Sequence, residues 1–261
     1  MTPMTRYMPT NTPRQIDAVR KTSHIITSLQ EHGSAGVTEI ATDVGYSKST
    51  VHGHLATLHD EGLIVKDDHT YRLSLSFLDI AESVKRTVAE HDVVREQIRA
   101  LADETGEVVH FGAQERGRVV YLEKAKGNSA VQTKSTIGGR MPMHSTGLGK
   151  AILSTLPPET VDRIVEEHGL EQRTEHTITS ADELTDELEA TAARGYSIDD
   201  EENIPGVRCI GMVVSVPETE VIGAVSISGP SQRMTDERLE TELQPTIAQA
   251  ANVIEVNSLY S

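Results

Sequence analysis

The stretch Ser47-Lys48-Ser49-Thr50-Val51-His52-Gly53 gathers short hydroxyls, an amine and an imidazole at a helix start, side chains suited to phosphate oxygens and base edges. A second stretch, Met143-His144-Ser145-Thr146-Gly147-Leu148-Gly149-Lys150, resembles a phosphate-binding loop only superficially. The spacing GxxxxGK followed by Ser or Thr fails, because His144 stands where the first glycine belongs and Ala151 follows the lysine. Nucleotide hydrolysis is therefore excluded. What remains is a helix start whose Gly147 and Leu148 N–H groups, aided by the helix dipole, can hold a carboxylate. The third group is Cys209 with His144 and the acidic run Asp199-Asp200-Glu201-Glu202. These types suit a thiol nucleophile or a metal site, but neither spacing is diagnostic. A lone cysteine in a β-rich segment also has a plainer reading as a small buried hydrophobe.

The elements that must position these residues follow from periodicity. Val19, Thr22, Ile25, Ile26 and Leu29 recur at helical spacing before Gly33 and Gly36, and Val37, Ile40, Ala41 and Val44 form a second helical face. Gly45-Tyr46 makes a tight turn, Ser47 is a good N-cap, and a third helix runs to about Glu61, burying Val51, Leu55 and Leu58. Leu63-Ile64-Val65 and Tyr71-Arg72-Leu73 flank a polar turn as a short hairpin. Helix, helix, turn, helix, hairpin is a winged helix-turn-helix, expected over residues 14–74. Phasing the third helix on its buried face turns Ser49, Gly53 and Ala56 outward, with Thr50, His52 and Thr57 beside them. That face is small and polar, and a mid-helix glycine costs about 1 kcal/mol relative to alanine, which a close backbone approach to a duplex would explain. Ser47, Lys48, Thr50 and the hairpin's Arg72 are candidate phosphate contacts. Six of the eleven histidines fall in this domain.

Residues 1–13 read as a loose tail. Phe77, Ala81, Val84 and Val88 define an amphipathic linker over residues 75–91 that could dimerise. Residues 92–261 alternate between helix and strand signals, an α+β domain. Helices are expected up to Thr105, from Gly147 to Leu156, from Pro158 to about His168, after a capping box at Ser180, and from Thr235 with a break or kink at Pro245. Strands are expected over residues 107–114, 118–126, 130–135, 207–216 and 221–228, the last two a hairpin turning at residues 217–220.

Composition removes several function classes. The 261 residues carry 24 basic and 40 acidic side chains, a formal charge of −16, which excludes a basic nucleic-acid coat and argues against binding anionic membranes. Residues 1–72 hold seven basic and eight acidic groups, so almost all of the excess lies in the second half. Arginine outnumbers lysine two to one, tryptophan is absent and phenylalanine occurs twice, the composition of a surface adapted to high salt. The single cysteine permits no intrachain disulfide. Without a signal-like N-terminus or an apolar run of about 18–20 residues, the sequence reads as soluble and cytoplasmic, with no membrane partner.

Three stretches carry a family resemblance: Val37-Thr38-Glu39-Ile40-Ala41 followed by Ser47-Lys48-Ser49-Thr50-Val51-His52; Gly139-Arg140-Met141-Pro142-Met143-His144 running into Ser145-Thr146-Gly147-Leu148-Gly149-Lys150-Ala151; and Asp199-Asp200-Glu201-Glu202 with Gly206-Val207-Arg208-Cys209-Ile210 and Ala224-Val225-Ser226-Ile227-Ser228-Gly229-Pro230. With them the chain resembles the isocitrate lyase regulator (IclR) family of transcription factors from about Val19 onward, and its composition resembles that of a haloarchaeal member. The resemblance implies a GAF-like α/β effector domain behind the winged helix, a dimer or tetramer on double-stranded operator DNA, and a small organic acid or sugar-derived metabolite as effector. Carried over by position, the effector would meet the Gly147 and Leu148 backbone, Asp199, Val207, Cys209, Ser226 and Ser228. The family usually has a basic residue where this chain has Gly53. The resulting expectation is a ligand-responsive regulator of catabolic genes with no cofactor, no metal and no catalytic residue. The alternatives are a metal sensor or small-molecule enzyme centred on Cys209 and His144, and a winged helix that binds only protein.

Overall fold

The computed structural model describes residues 15–131, 135–215 and 223–258. The chain forms two compact units that divide after Ser83. In the first, α1 (Asp17–His32), α2 (Val37–Val44) and α3 (Lys48–Asp60) enclose Ile25, Leu29, Ile40, Val51 and Leu55, all fully buried. The helices therefore close on the residues whose spacing predicted them. Ser47 caps α3, its Oγ accepting the Thr50 N–H at 3.1 Å. The wing is β2 (Ile64–Asp67) against β3 (Thr70–Leu73), and a further strand, β1 (Ala35–Gly36), pairs Ala35 with Tyr71. Two residues are too few to show a period, so β1 has no sequence signal of its own.

The linker helix α4 (Ser76–Lys85) is shorter than expected, and none of its residues is buried. Val88, expected on its apolar stripe, lies beyond its end and is buried with Ala89 in the core of the second unit.

That unit is built on six antiparallel strands: β4 (Val108–Glu115), β5 (Arg118–Lys126), β6 (Arg140–Pro142), β7 (Ser197–Asp200), β8 (Val207–Val214) and β9 (Gly223–Pro230), in the spatial order β6-β5-β4-β9-β8-β7. Alternation along the strands separates two cores. Val109, Phe111, Ile210, Val225 and Ile227 pack with α5 (His91–Thr105) and the C-terminal helix. On the other face, α6 (Gly147–Leu153), α7 (Pro158–His168) and α8 (Ala181–Arg194) pack through Leu148, Ile152, Leu153 and Leu184 against Val119 and Ala224.

Several local expectations are corrected. Ala130, Val131 and Ser135 form no strand; the rest of that expected strand and the turn at residues 217–220 lie outside the described residues. The edge strands β6 and β7 are additions to the expected set, being short and ending in proline or paired aspartates. Ser180 precedes α8 but makes no side-chain cap. The interruption expected at Pro245 takes the form of a π-helical turn on its N-terminal side: α9 (Asp236–Arg238) leads through Leu239–Leu243 into α10 (Gln244–Ser258). The Gln244 N–H reaches back to the Leu239 carbonyl, a wider spacing that accommodates the proline's missing donor.

Candidate functional site

Two places bring the candidate residues together. On α3, Ser47, Lys48, Ser49, His52, Gly53 and Thr57 are exposed, while Thr50 is half-buried. The hydroxyls form a small network: Ser47 Oγ lies 2.9 Å from Ser49 Oγ and 2.8 Å from Thr50 Oγ1, and Thr57 Oγ1 donates to the Gly53 carbonyl. A Cβ added at Gly53 would meet nothing within 4 Å, so nothing inside the fold requires glycine there. Arg72 sits on the wing with its Nε donating to Asp67 at 2.9 Å, which orients the guanidinium without burying it. One edge of α3 shares a shallow groove with Ala18, Val19 and Thr22 of α1, where His54 Nδ1 lies 2.8 Å from Thr22 Oγ1.

The second place is a pocket between the sheet and the start of α6, with about 430 Å³ of empty space, mouth included. Strand register builds its floor from two polar rows. Asp199 of β7, Cys209 of β8 and Ser228 of β9 are direct cross-strand neighbours; two residues along, Gly211, Ser226, His110 and Lys124 form the next row across β8, β9, β4 and β5. Directly paired residues share a face, so both rows point toward α6. Glycine is needed at 211, because a Cβ there would collide with the Gly147 carbonyl. That close approach lets Ser197 Oγ donate to the same carbonyl at 2.5 Å and docks the helix start on the sheet. Thr146 caps α6 by accepting the Gly149 N–H.

All seven residues expected around an effector, Gly147, Leu148, Asp199, Val207, Cys209, Ser226 and Ser228, line this one pocket. His110, Tyr121, Ser135, Thr146, Asn203 and Ile204 complete the lining and carry no such signal in the sequence. His110 and Tyr121 lie on β-rich runs whose alternation marks a buried face but not a pocket.

Residues 82–256 match the family model for the C-terminal domain of the bacterial transcriptional regulator IclR, and residues 18–68 match the IclR helix-turn-helix domain. The chain belongs to the IclR family. It is 30% identical over 248 residues to the "Probable HTH-type transcriptional regulator ArcR" of Halobacterium salinarum, covering 94% of each chain. It is 31% identical to the acetate operon repressor of Salmonella typhimurium, covering 86% of this chain and 83% of that one. Its fold superposes on the crystal structure of the Thermotoga maritima IclR with a TM-score of 0.78 at 27% identity, over 94% of this chain and all of that one.

In this IclR-family chain the pocket holds several perturbed groups. Burial, then the neighbouring Glu202 carboxylate, pushes Asp199 up to about 7, against the pull of Lys150 and of the Glu202 and Asn203 N–H groups. Burial, then the charge of Lys124, pushes His110 down to about 3, leaving a neutral ring 2.8 Å from Ser135 Oγ. Burial also raises the Tyr121 phenol and pushes the Cys209 thiol well above its usual range, Asp199 adding to the latter. A thiol so held is a poor nucleophile. His144 does not line Cys209's pocket: it sits in a separate recess beside Gly117 and His168, its Nε2 3.1 Å from the Glu171 carbonyl. Among the described residues no group of three or more His, Cys, Asp or Glu side chains could hold a metal ion. The enzyme-or-metal alternative thus loses the pairing on which it was built.

Lys150 is the largest departure from sequence reasoning. It is 1% exposed and pairs with Glu202 and, at 3.3 Å, with Glu187. It braces the helix that fronts the pocket against the loop carrying Asn203 and Ile204.

Gly53 yields a prediction that separates folding from recognition in this IclR-family regulator. Gly53→Ala should stabilise the N-terminal domain by about 0.5–1 kcal/mol, because α3 gains propensity and the methyl meets open space. If the backbone approaches DNA closely, the same variant binds DNA on the order of tenfold more weakly. Urea unfolding and equilibrium DNA binding read the two effects, and unchanged affinity would remove Gly53 from the interface.

Proposed function

We propose that this chain is an effector-gated regulator of catabolic genes: α3 enters the major groove of operator DNA, the wing and Lys48 contact phosphates, and a small organic acid in the C-terminal pocket shifts the balance between DNA-competent and incompetent states. The observation that carries the reading is the pocket itself, where two polar rows of the sheet meet a helix start and all the residues expected from the family motifs converge. The name of the Salmonella relative supports a catabolic target. The protein acts without catalysis, in the cytoplasm, as a dimer or tetramer. Leu75, Leu78 and Val84, all more than half exposed on or beside α4, support assembly through that helix. No helix among the described residues is long and apolar enough to cross a membrane.

The test is the paired variant Ser226→Ala and Ser228→Ala. Each hydrogen bond removed is worth about 0.5–1.5 kcal/mol, so the acid concentration that releases DNA should rise about 10- to 100-fold while affinity for DNA without acid stays constant. An unchanged acid response would contradict the pocket assignment.

Salt gives a second expectation. Six phosphate contacts would ordinarily cost about five decades of affinity per tenfold rise in salt. The acidic composition and the Halobacterium relative favour a complex that takes up cations between protein and phosphate instead. Binding should then persist between about 0.5 and about 2 M KCl, and a collapse over that range would contradict salt adaptation.

A further inference from the structure

Building on the effector pocket just proposed, we propose that the pocket takes up an anionic effector together with one proton, held on Asp199, so that the effector binds more tightly as pH falls. Neither lysine nor arginine lines the pocket among the described residues. The buried cation closest in the network, Lys150, is engaged by Glu202 and Glu187, and Arg194 is engaged by Glu187 at 2.7 Å. Lys124, outside the lining, donates to the Ser135 carbonyl and Oγ, each at 2.7 Å. Among the described residues the charges linked to Asp199 are therefore three carboxylates, on Asp199, Glu202 and Glu187, against two cations, Lys150 and Arg194. With Asp199 ionised the cluster is net negative, and a carboxylate entering it would be a further buried charge with hydrogen-bond donors but no counter-charge in the lining. With Asp199 protonated the cluster is neutral.

The geometry leaves a place for that proton. Asp199 is 1% exposed, and its Oδ1 accepts the N–H groups of Glu202 and Asn203 at 2.8 and 3.3 Å. Its Oδ2 lies on the pocket wall 3.5 Å from Cys209 Sγ, where a carboxylic O–H can donate to an effector carboxylate. Among the described residues no group donates to Glu202 Oε2. Of the other titratable groups around Asp199, Cys209 and Tyr121 are kept protonated by burial and His110 is kept neutral, while the cations Arg173 and Lys124 act on Tyr121 and His110 from outside the lining. Asp199 itself changes state at about 7, within reach of ordinary conditions.

The chain's single cysteine is the reporter, because its S–H stretching band senses the charge on Asp199 Oδ2. In the full-length protein we expect one titration step in that band near neutral pH, moved upward by saturating acetate. Calorimetry in two buffers of different ionisation heat should read uptake of about one proton per acetate above the step, and acetate affinity should fall on the order of tenfold per pH unit there. Acetamide, a neutral isostere, should bind with no proton uptake, and Asp199→Asn should abolish both the step and the uptake. The measurements on the unmodified protein stand even if that variant fails to fold. Acetate bound with no proton uptake and constant affinity from about pH 6 to about pH 9 would overturn the coupling and leave the pocket reading intact. Acetate that changes neither the band nor the heat at any pH would contradict the pocket reading, and the coupling with it.

Discussion

Replacing Lys150 with methionine should cost the C-terminal domain about 3–5 kcal/mol, the usual penalty for stripping one partner from a buried ion pair. The pair is almost wholly enclosed, with the Lys150 and Glu202 side chains 1% and 6% exposed. Methionine fills much of the same volume, so the loss comes from the carboxylate left behind and not from a cavity. Glu202 has one oxygen without a partner among the described residues, and losing the ammonium leaves the group charged and unpaired or forces it to take a proton. Adding Glu202→Leu to Lys150→Met should recover most of the loss, since a buried pair replaced as a whole by apolar groups is often neutral. Denaturant unfolding of the single and double variants measures this directly. A single-variant cost below about 1 kcal/mol would mean that Glu202 finds another partner or water. Because Lys150 ties α6 to the loop bearing Asn203 and Ile204, the double variant should also lose effector response even where its stability returns.

The second large effect is on DNA. Alanine at Ser49, Thr50 and His52 together should weaken operator binding by about a hundredfold, because three polar contacts are lost and each is worth about 0.5–1.5 kcal/mol. The choice of positions keeps folding out of the result. Ser47 stays, because its Oγ caps α3 by accepting the Thr50 N–H, an interaction worth about 1 kcal/mol. Val51, Leu55 and Leu58, which hold α3 to the core, are also untouched. The variant should therefore unfold at nearly the same denaturant concentration as the parent, and a winged helix devoted to protein contacts would keep its DNA affinity.

What is legible in the sequence depends on whether the signal is local. Val51, Leu55 and Leu58 lie within two helical turns, so their period places α3 and its outward face. Asp199, Cys209, Ser226 and Ser228 come from family motifs, and strand register explains why they converge: Asp199 pairs with Cys209, and Cys209 with Ser228. His110 joins them only because β4 pairs with β9, a pairing between strands over a hundred residues apart. Lys150 invites a phosphate-loop reading that its spacing refuses, and its real role needs Glu202, 52 residues downstream, to be brought against it. The linker reads as too long because Val88 continues the apolar period of α4 after the helix has ended, and its burial belongs to the next domain. Short-range period cannot tell which core an apolar residue serves.

Whether α3 reads DNA on behalf of an acid-sensing pocket is decided in the cell, by crosslinking with sequencing of the bound DNA. Cells grown on contrasting carbon sources would carry either the parent chain or the Ser49, Thr50 and His52 alanine variant. The parent should give discrete peaks upstream of catabolic operons, varying with carbon source, and the stably folded variant should lose them. Absence of discrete peaks under every condition, or the same peaks in the variant, would contradict that role of α3.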